Sequence, residues 1–113
     1  MADKQYIIRI GSDNVLELSG VKDTVTDAYV DSGSGSGVLK DSDGTTVTGA
    51  GALTLTHVDG STTGNWYVTI TDTISATLTE DSTYTLETTL TDGNGNVVLL
   101  TTRYIAKKYY GED

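Results

Sequence analysis

Side chains capable of chemistry are few in this chain: one histidine, no cysteine, and 16 acidic residues set mainly in turn-like stretches. A general base or nucleophile works only with partners held around it. His57 stands at the end of a strand-like segment beside Asp59-Gly60, outside any Ser-His-acid pattern, and reads as structural or solvent-exposed. Asp92-Gly93-Asn94-Gly95-Asn96 places oxygen side chains at alternate positions, as a calcium loop does. The twelfth position of that loop is Arg103, where a bidentate Glu is needed. Asp41-Ser42-Asp43-Gly44 is of the same kind, and both stretches read as tight turns; a calcium ion shared between them would require the fold to bring them together. The Gly/Ser run at 31–37 has no Lys and no Walker spacing, so it is not a phosphate cradle and reads as a flexible surface loop. No catalytic, cofactor-binding or metal-binding residue is therefore assigned, no cofactor is expected, and the chain reads as a non-enzyme.

The elements that would position these residues are strands. Apolar residues recur at period two, and no window holds an i, i+3, i+4, i+7 stripe. Residues 5–10 and 14–18 flank Gly11-Ser12-Asp13 and predict a hairpin. Residues 24–30 predict a third strand, and 38–40 with 45–47 a short pair around Asp41-Ser42-Asp43-Gly44. Residues 53–57 and 65–71 follow, the latter turning Trp66, Val68 and Ile70 inward, so that Trp66 becomes the core anchor. Residues 83–90 alternate cleanly and turn at 92–96 into 97–106, the clearest hairpin. Seven to nine strands at spacings of roughly 8 to 12 residues predict an all-β antiparallel sandwich or small barrel. A single domain over 1–106 and a C-terminal tail over 107–113 complete the organisation.

Composition narrows the partners. Val, Leu and Ile make up about 23% of the chain and Phe is absent, so the core must be thin. A net charge of -9 would repel nucleic acid and anionic membranes, and neither is expected as a partner. With no cysteine, folding inside a cell is favoured, and neither a signal peptide nor a membrane-spanning helix is predicted. The last strand carries bulk on both faces, Val98, Leu100 and Tyr104 against Val97, Leu99 and Ile105, as a strand awaiting a partner subunit would. Tyr104, Tyr109, Tyr110 and the outward Tyr67 are the interface candidates, because Tyr adds contact area with few rotors to freeze.

Three stretches, read in order, resemble a known group. They are Ala28-Tyr29-Val30 leading to Leu39-Lys40-Asp41-Ser42-Asp43-Gly44-Thr45-Thr46-Val47, then Gly64-Asn65-Trp66-Tyr67-Val68, then Asp81-Ser82-Thr83-Tyr84-Thr85-Leu86 with Asp92-Gly93-Asn94-Gly95-Asn96. Together they are similar to the small immunoglobulin-like β-sandwich proteins of tailed-bacteriophage virions, such as the amino-terminal domain of phage baseplate upper proteins. The resemblance spans about residues 14 to 106 and departs from the pattern at the Gly/Ser run. It implies an immunoglobulin-like sandwich and a structural subunit of the neck, tail or capsid surface, made in the host bacterial cytoplasm and assembled into the virion. The implied partners are other virion proteins and further copies of the chain. A carbohydrate-binding or adhesin-type sandwich module, motivated by Tyr67, Tyr84 and the acidic turns, is the alternative.

Overall fold

A computed structural model describes residues 6–108. They form an all-β protein of seven strands: β1 (Ile7–Arg9), β2 (Asn14–Leu18), β3 (Ser34–Lys40), β4 (Leu53–His57), β5 (Trp66–Ile70), β6 (Thr83–Thr91) and β7 (Val97–Lys107). One short helix, α1 (Asp72–Ser75), follows β5. The strands lie in the order β1-β7-β6-β3-β4-β5-β2, a single mixed sheet curled into a nearly closed barrel.

The β6–β7 hairpin runs from Thr83 opposite Ile105 to Thr91 opposite Val97. Its turn forms because the Asp92 carboxylate accepts the amides of Asn94 (2.8 Å) and Asn96 (2.9 Å), while Gly95 takes the left-handed φ of 87°. The expected hairpin of residues 5–10 with 14–18 does not form. β1 instead lies parallel to β7, Ile7 opposite Ile105, and β2 lies antiparallel to β5, so a purely antiparallel sheet is also corrected. The Gly11-Ser12-Asp13 turn thus joins the two outer strands of the sheet. Ser75 holds it there: its Oγ accepts the Gly11 amide (3.0 Å) and donates to the Ser12 carbonyl (2.7 Å). Asp13 accepts the Asp72 amide at the start of α1 (2.7 Å). Four residues are too few for a helical stripe to show in the sequence.

The flexible loop expected over 31–37 is a second correction. Ser34–Lys40 is β3, which is paired on both sides, with Gly35 opposite Leu55 of β4 and Leu90 of β6. A Cβ placed on Gly35 would sit 2.5 Å from Leu90 Cδ2 and 2.9 Å from Leu55 Cδ1. The glycine is in the strand because two neighbouring leucines fill the space where its side chain would be. Residues 24–30, expected as a strand, are mostly irregular: Lys22 bridges Tyr29, and Asp27 has a φ of 61°. Residues 45–47 contribute one bridge, Thr46 to Lys40, rather than a strand. The tail expected from 107 begins later, since Lys107 ends β7 and its carbonyl accepts the Ile10 amide (2.9 Å).

The core is aliphatic, with Ile8, Leu39, Ile70, Leu86 and Leu90 fully buried. Each such side chain contributes roughly 1.5–3 kcal/mol relative to exposure. Trp66 closes one end of this core, 2% exposed, its Nε1–H donating to the Val30 carbonyl at 2.8 Å.

Candidate interaction surface

Two networks tie the irregular 20–31 segment to the sheet. At one, Asp31 Oδ1 lies 2.8 Å from His57 Nε2 and accepts the Gly64 amide (2.9 Å). The His57 ring also meets Trp66 edge-on, with centroids 5.1 Å apart. The bond to His57 is the main reason the Asp31 carboxyl is held below its ordinary range. His57 therefore sits in a fixed, half-buried bond rather than free in solvent. At the other, Asp23 is buried and accepts from Val25 N (2.7 Å) and Asn96 Nδ2 (2.8 Å). The hydrogen bond it shares with the Asp92 carboxyl, then that from Asn96, lowers its pKa to about 2. Both networks span 26 or more residues, so no local spacing could reveal them.

The acidic turns make few further demands. Asp41 Oδ1 accepts the amides of Asp43 (2.9 Å) and Thr45 (3.0 Å), so its carboxylate, like that of Asp92, organises its own turn. The two turns stand at opposite ends of β6, where Thr85 faces Lys40 and Thr91 faces Ser34. That separates them by roughly 20 Å at the usual rise per residue, and no ion can be shared between them. Among the described residues, no group of three His, Cys, Asp or Glu could hold a metal, and no helix is long and apolar enough to cross a membrane.

Of the interface candidates, Tyr104 is corrected. It is 4% exposed, packed 5.6 Å from the Tyr6 ring, and burial pushes its phenol up to about 12. Tyr67 is half-buried on β5 between Thr56 and Glu17. Tyr109 and Tyr110 lie outside the described residues.

The surface that stands out instead follows β1 and β7. Among the described residues, β1 covers β7 from Ile105 to Lys107. Ile105 donates its amide to the Tyr6 carbonyl, so the peptide groups of Arg103, Thr101, Leu99 and Val97 face the same edge by alternation. Among the described residues no strand pairs with that edge. Leu99 (73% exposed) and Val97 (55%) project from the outer face of β7, and Ile7 is exposed on β1 next to Ile105. Across the seam, a groove of about 370 Å³ separates Tyr6 and Ile7 from Val15 and Glu17 of β2. The alternation of β7 pointed to Val97 and Leu99; that β1 pairs with the other end of the strand could not be read from it.

The class these features define is a nearly closed all-β barrel with one open seam and an apolar edge. Comparison with known protein families, with characterised proteins and with solved structures finds no match for the chain.

Proposed function

We propose that this protein is a non-enzymatic structural subunit of a bacteriophage particle, placed at the neck, tail or capsid surface and acting through contacts with neighbouring proteins. The observation that carries the contact-making role is the exposure of Leu99 and Val97 on β7, whose edge next to them has no partner strand among the described residues. Exposed aliphatic side chains on an open strand are a liability in a lone molecule and an asset in an assembly. The phage setting rests on the resemblance over residues 14 to 106. An immunoglobulin-like arrangement is part of the same reading. β4 pairs with β3 on one side and β5 on the other, so the sheet can fold there into two layers, one of five strands and one closing with β5 and β2. The sugar-binding alternative has less support, because Tyr84 is buried and Tyr67 half-buried.

Mass spectrometry of purified particles, with electron microscopy of particles assembled without this gene, tests the proposal. The protein should be found in the particle, and its loss should give incomplete neck, tail or capsid structures. Fully assembled, infectious particles lacking it would overturn the reading.

A further inference from the structure

The turn joining β6 to β7 contains Asn94-Gly95, the one place in the chain where an asparagine precedes a glycine. The backbone nitrogen that follows an asparagine can attack its side-chain amide carbon, and because both groups sit in one short segment the reaction is intramolecular. Glycine, lacking a side chain, leaves that nitrogen unshielded. The chain's other asparagines are 14, 65 and 96, and all three are held. Asn14 Nδ2 donates to the carbonyls of Arg9 (3.0 Å) and Ser12 (2.9 Å), Asn65 Nδ2 to Thr63 Oγ1 (3.1 Å), and Asn96 Nδ2 to Asp23 Oδ2 (2.8 Å). Each is half-buried and precedes a bulky residue, Val15, Trp66 or Val97. Asn94 is exposed, and among the described residues its side-chain amide has no hydrogen-bond partner. Gly95 is exposed too, its amide donating to the Asp92 carbonyl at 3.0 Å. A bond at the tip of a hairpin opens locally far more often than one in a core strand, and each opening frees the nitrogen.

We infer that Asn94 is a site of spontaneous deamidation, and that its main product loosens the tie between this turn and the 20–31 segment. As the Gly95 nitrogen gives its hydrogen to base in the solvent, it bonds to Asn94 Cγ; the Cγ–Nδ2 bond breaks and ammonia leaves, closing a succinimide ring. Water then opens the ring. Cleavage at Cγ gives aspartate on an ordinary backbone, and cleavage at the backbone carbonyl carbon gives isoaspartate, whose chain runs on through Cγ and is one methylene longer. One water is consumed and one ammonia released, with no change of oxidation state. The added methylene falls inside the hydrogen-bonded turn. Asp92 Oδ1 accepts the amides of Asn94 (2.8 Å) and Asn96 (2.9 Å), and the Asp92 amide donates to the Asn96 carbonyl (2.9 Å). The Asn94 amide precedes the altered bond and keeps its place, whereas Asn96 lies beyond it and is displaced. Asn96 is also the residue that reaches the buried Asp23. Its displacement takes a donor from a carboxylate that is 2% exposed, where water is a poor replacement.

Ageing the full chain in mildly alkaline buffer, followed by proteolysis and tandem mass spectrometry, tests this. Asn94 should gain the mass difference between NH2 and OH and give two separable products, the larger one methylated by a protein-isoaspartate methyltransferase, while Asn14, Asn65 and Asn96 stay intact. Asp92→Ala, which removes the acceptor of both turn amides, should speed the loss severalfold in a protein whose circular dichroism shows it folded. The aged protein should melt about 4 °C or more below the fresh one and exchange the Asn96 amide faster. Asn94→Asp, which has the new charge on an ordinary backbone, should melt close to the parent. An Asn94 that stays intact in the folded chain while the same chain in urea converts would show that the turn protects it, and would overturn the inference, as would earlier loss at any other asparagine. Aged protein that melts like fresh protein, or Asn94→Asp that melts as low as aged protein, would overturn the loosening by the longer backbone.

Discussion

Replacing Gly35 by alanine discriminates between a strand and a loop at the Gly/Ser run, because the two give opposite signs. In a mobile loop, Gly→Ala stabilises by about 0.4–1 kcal/mol, since the unfolded chain loses freedom that the folded one does not use. In β3, the new methyl would stand 2.5 Å from Leu90 Cδ2 and 2.9 Å from Leu55 Cδ1, well inside van der Waals contact. Leu90 is fully buried and Leu55 nearly so, and neither has empty space to retreat into. Overpacking of this kind costs about 1–3 kcal/mol. For a domain of this size each kcal/mol moves the melting temperature by about 4–8 °C. Urea titration followed by the fluorescence of the single tryptophan, with calorimetry in parallel, measures both quantities. Ser36→Thr is the control: Ser36 is exposed on the other face of the same strand, opposite Thr54 and Thr89. Threonine there should be neutral or stabilising by up to about 1 kcal/mol through its preference for strands. Opposite effects one residue apart are the signature of alternation. Stabilisation by Gly35→Ala would refute the reasoning and return residues 34–37 to a loop.

Three further outcomes are expected. Trp66→Phe removes the donor to the buried Val30 carbonyl and should cost about 1–3 kcal/mol from that loss alone, read by chemical denaturation followed by far-ultraviolet circular dichroism. Ser75→Ala leaves the Gly11 amide and the Ser12 carbonyl without their partner. It should cost about 1–3 kcal/mol and speed hydrogen exchange at Gly11, whereas Thr77→Ala at the exposed end of the same region should do neither. Acid should weaken the protein through Asp23 and Asp31. Both have folded-state pKa values below 3.8, so their contribution is complete above that pH and is lost as pH falls through the folded values, about 2 for Asp23. Melting temperature measured from pH 5 to pH 2 should fall less steeply in Asp23→Asn than in the parent chain, and an unchanged slope would contradict the assignment.

Side-chain alternation is a local property, fixed by backbone geometry within a few residues. For that reason the strands read at 14–18, 53–57, 83–90 and 97–106, the last two each one residue short of the observed end, and the inward turn of Trp66, were legible from residue types alone. The turns at 41–44 and 92–96 were legible for the same reason, because each Asp carboxylate bonds amides two and four residues along. Pairing between strands is not local. Whether β1 turns back onto β2 or runs beside β7, nearly a hundred residues away, depends on which edge buries Ile8 and leaves fewest peptide groups unpaired. The Gly/Ser run shows the same division most clearly. Alone it has no side chains to hold it, and it becomes a central strand because Leu55 and Leu90 on its neighbours fill the space it leaves. That β1 lies parallel to the end of β7, Ile7 opposite Ile105, is likewise a pairing that tertiary packing alone decided.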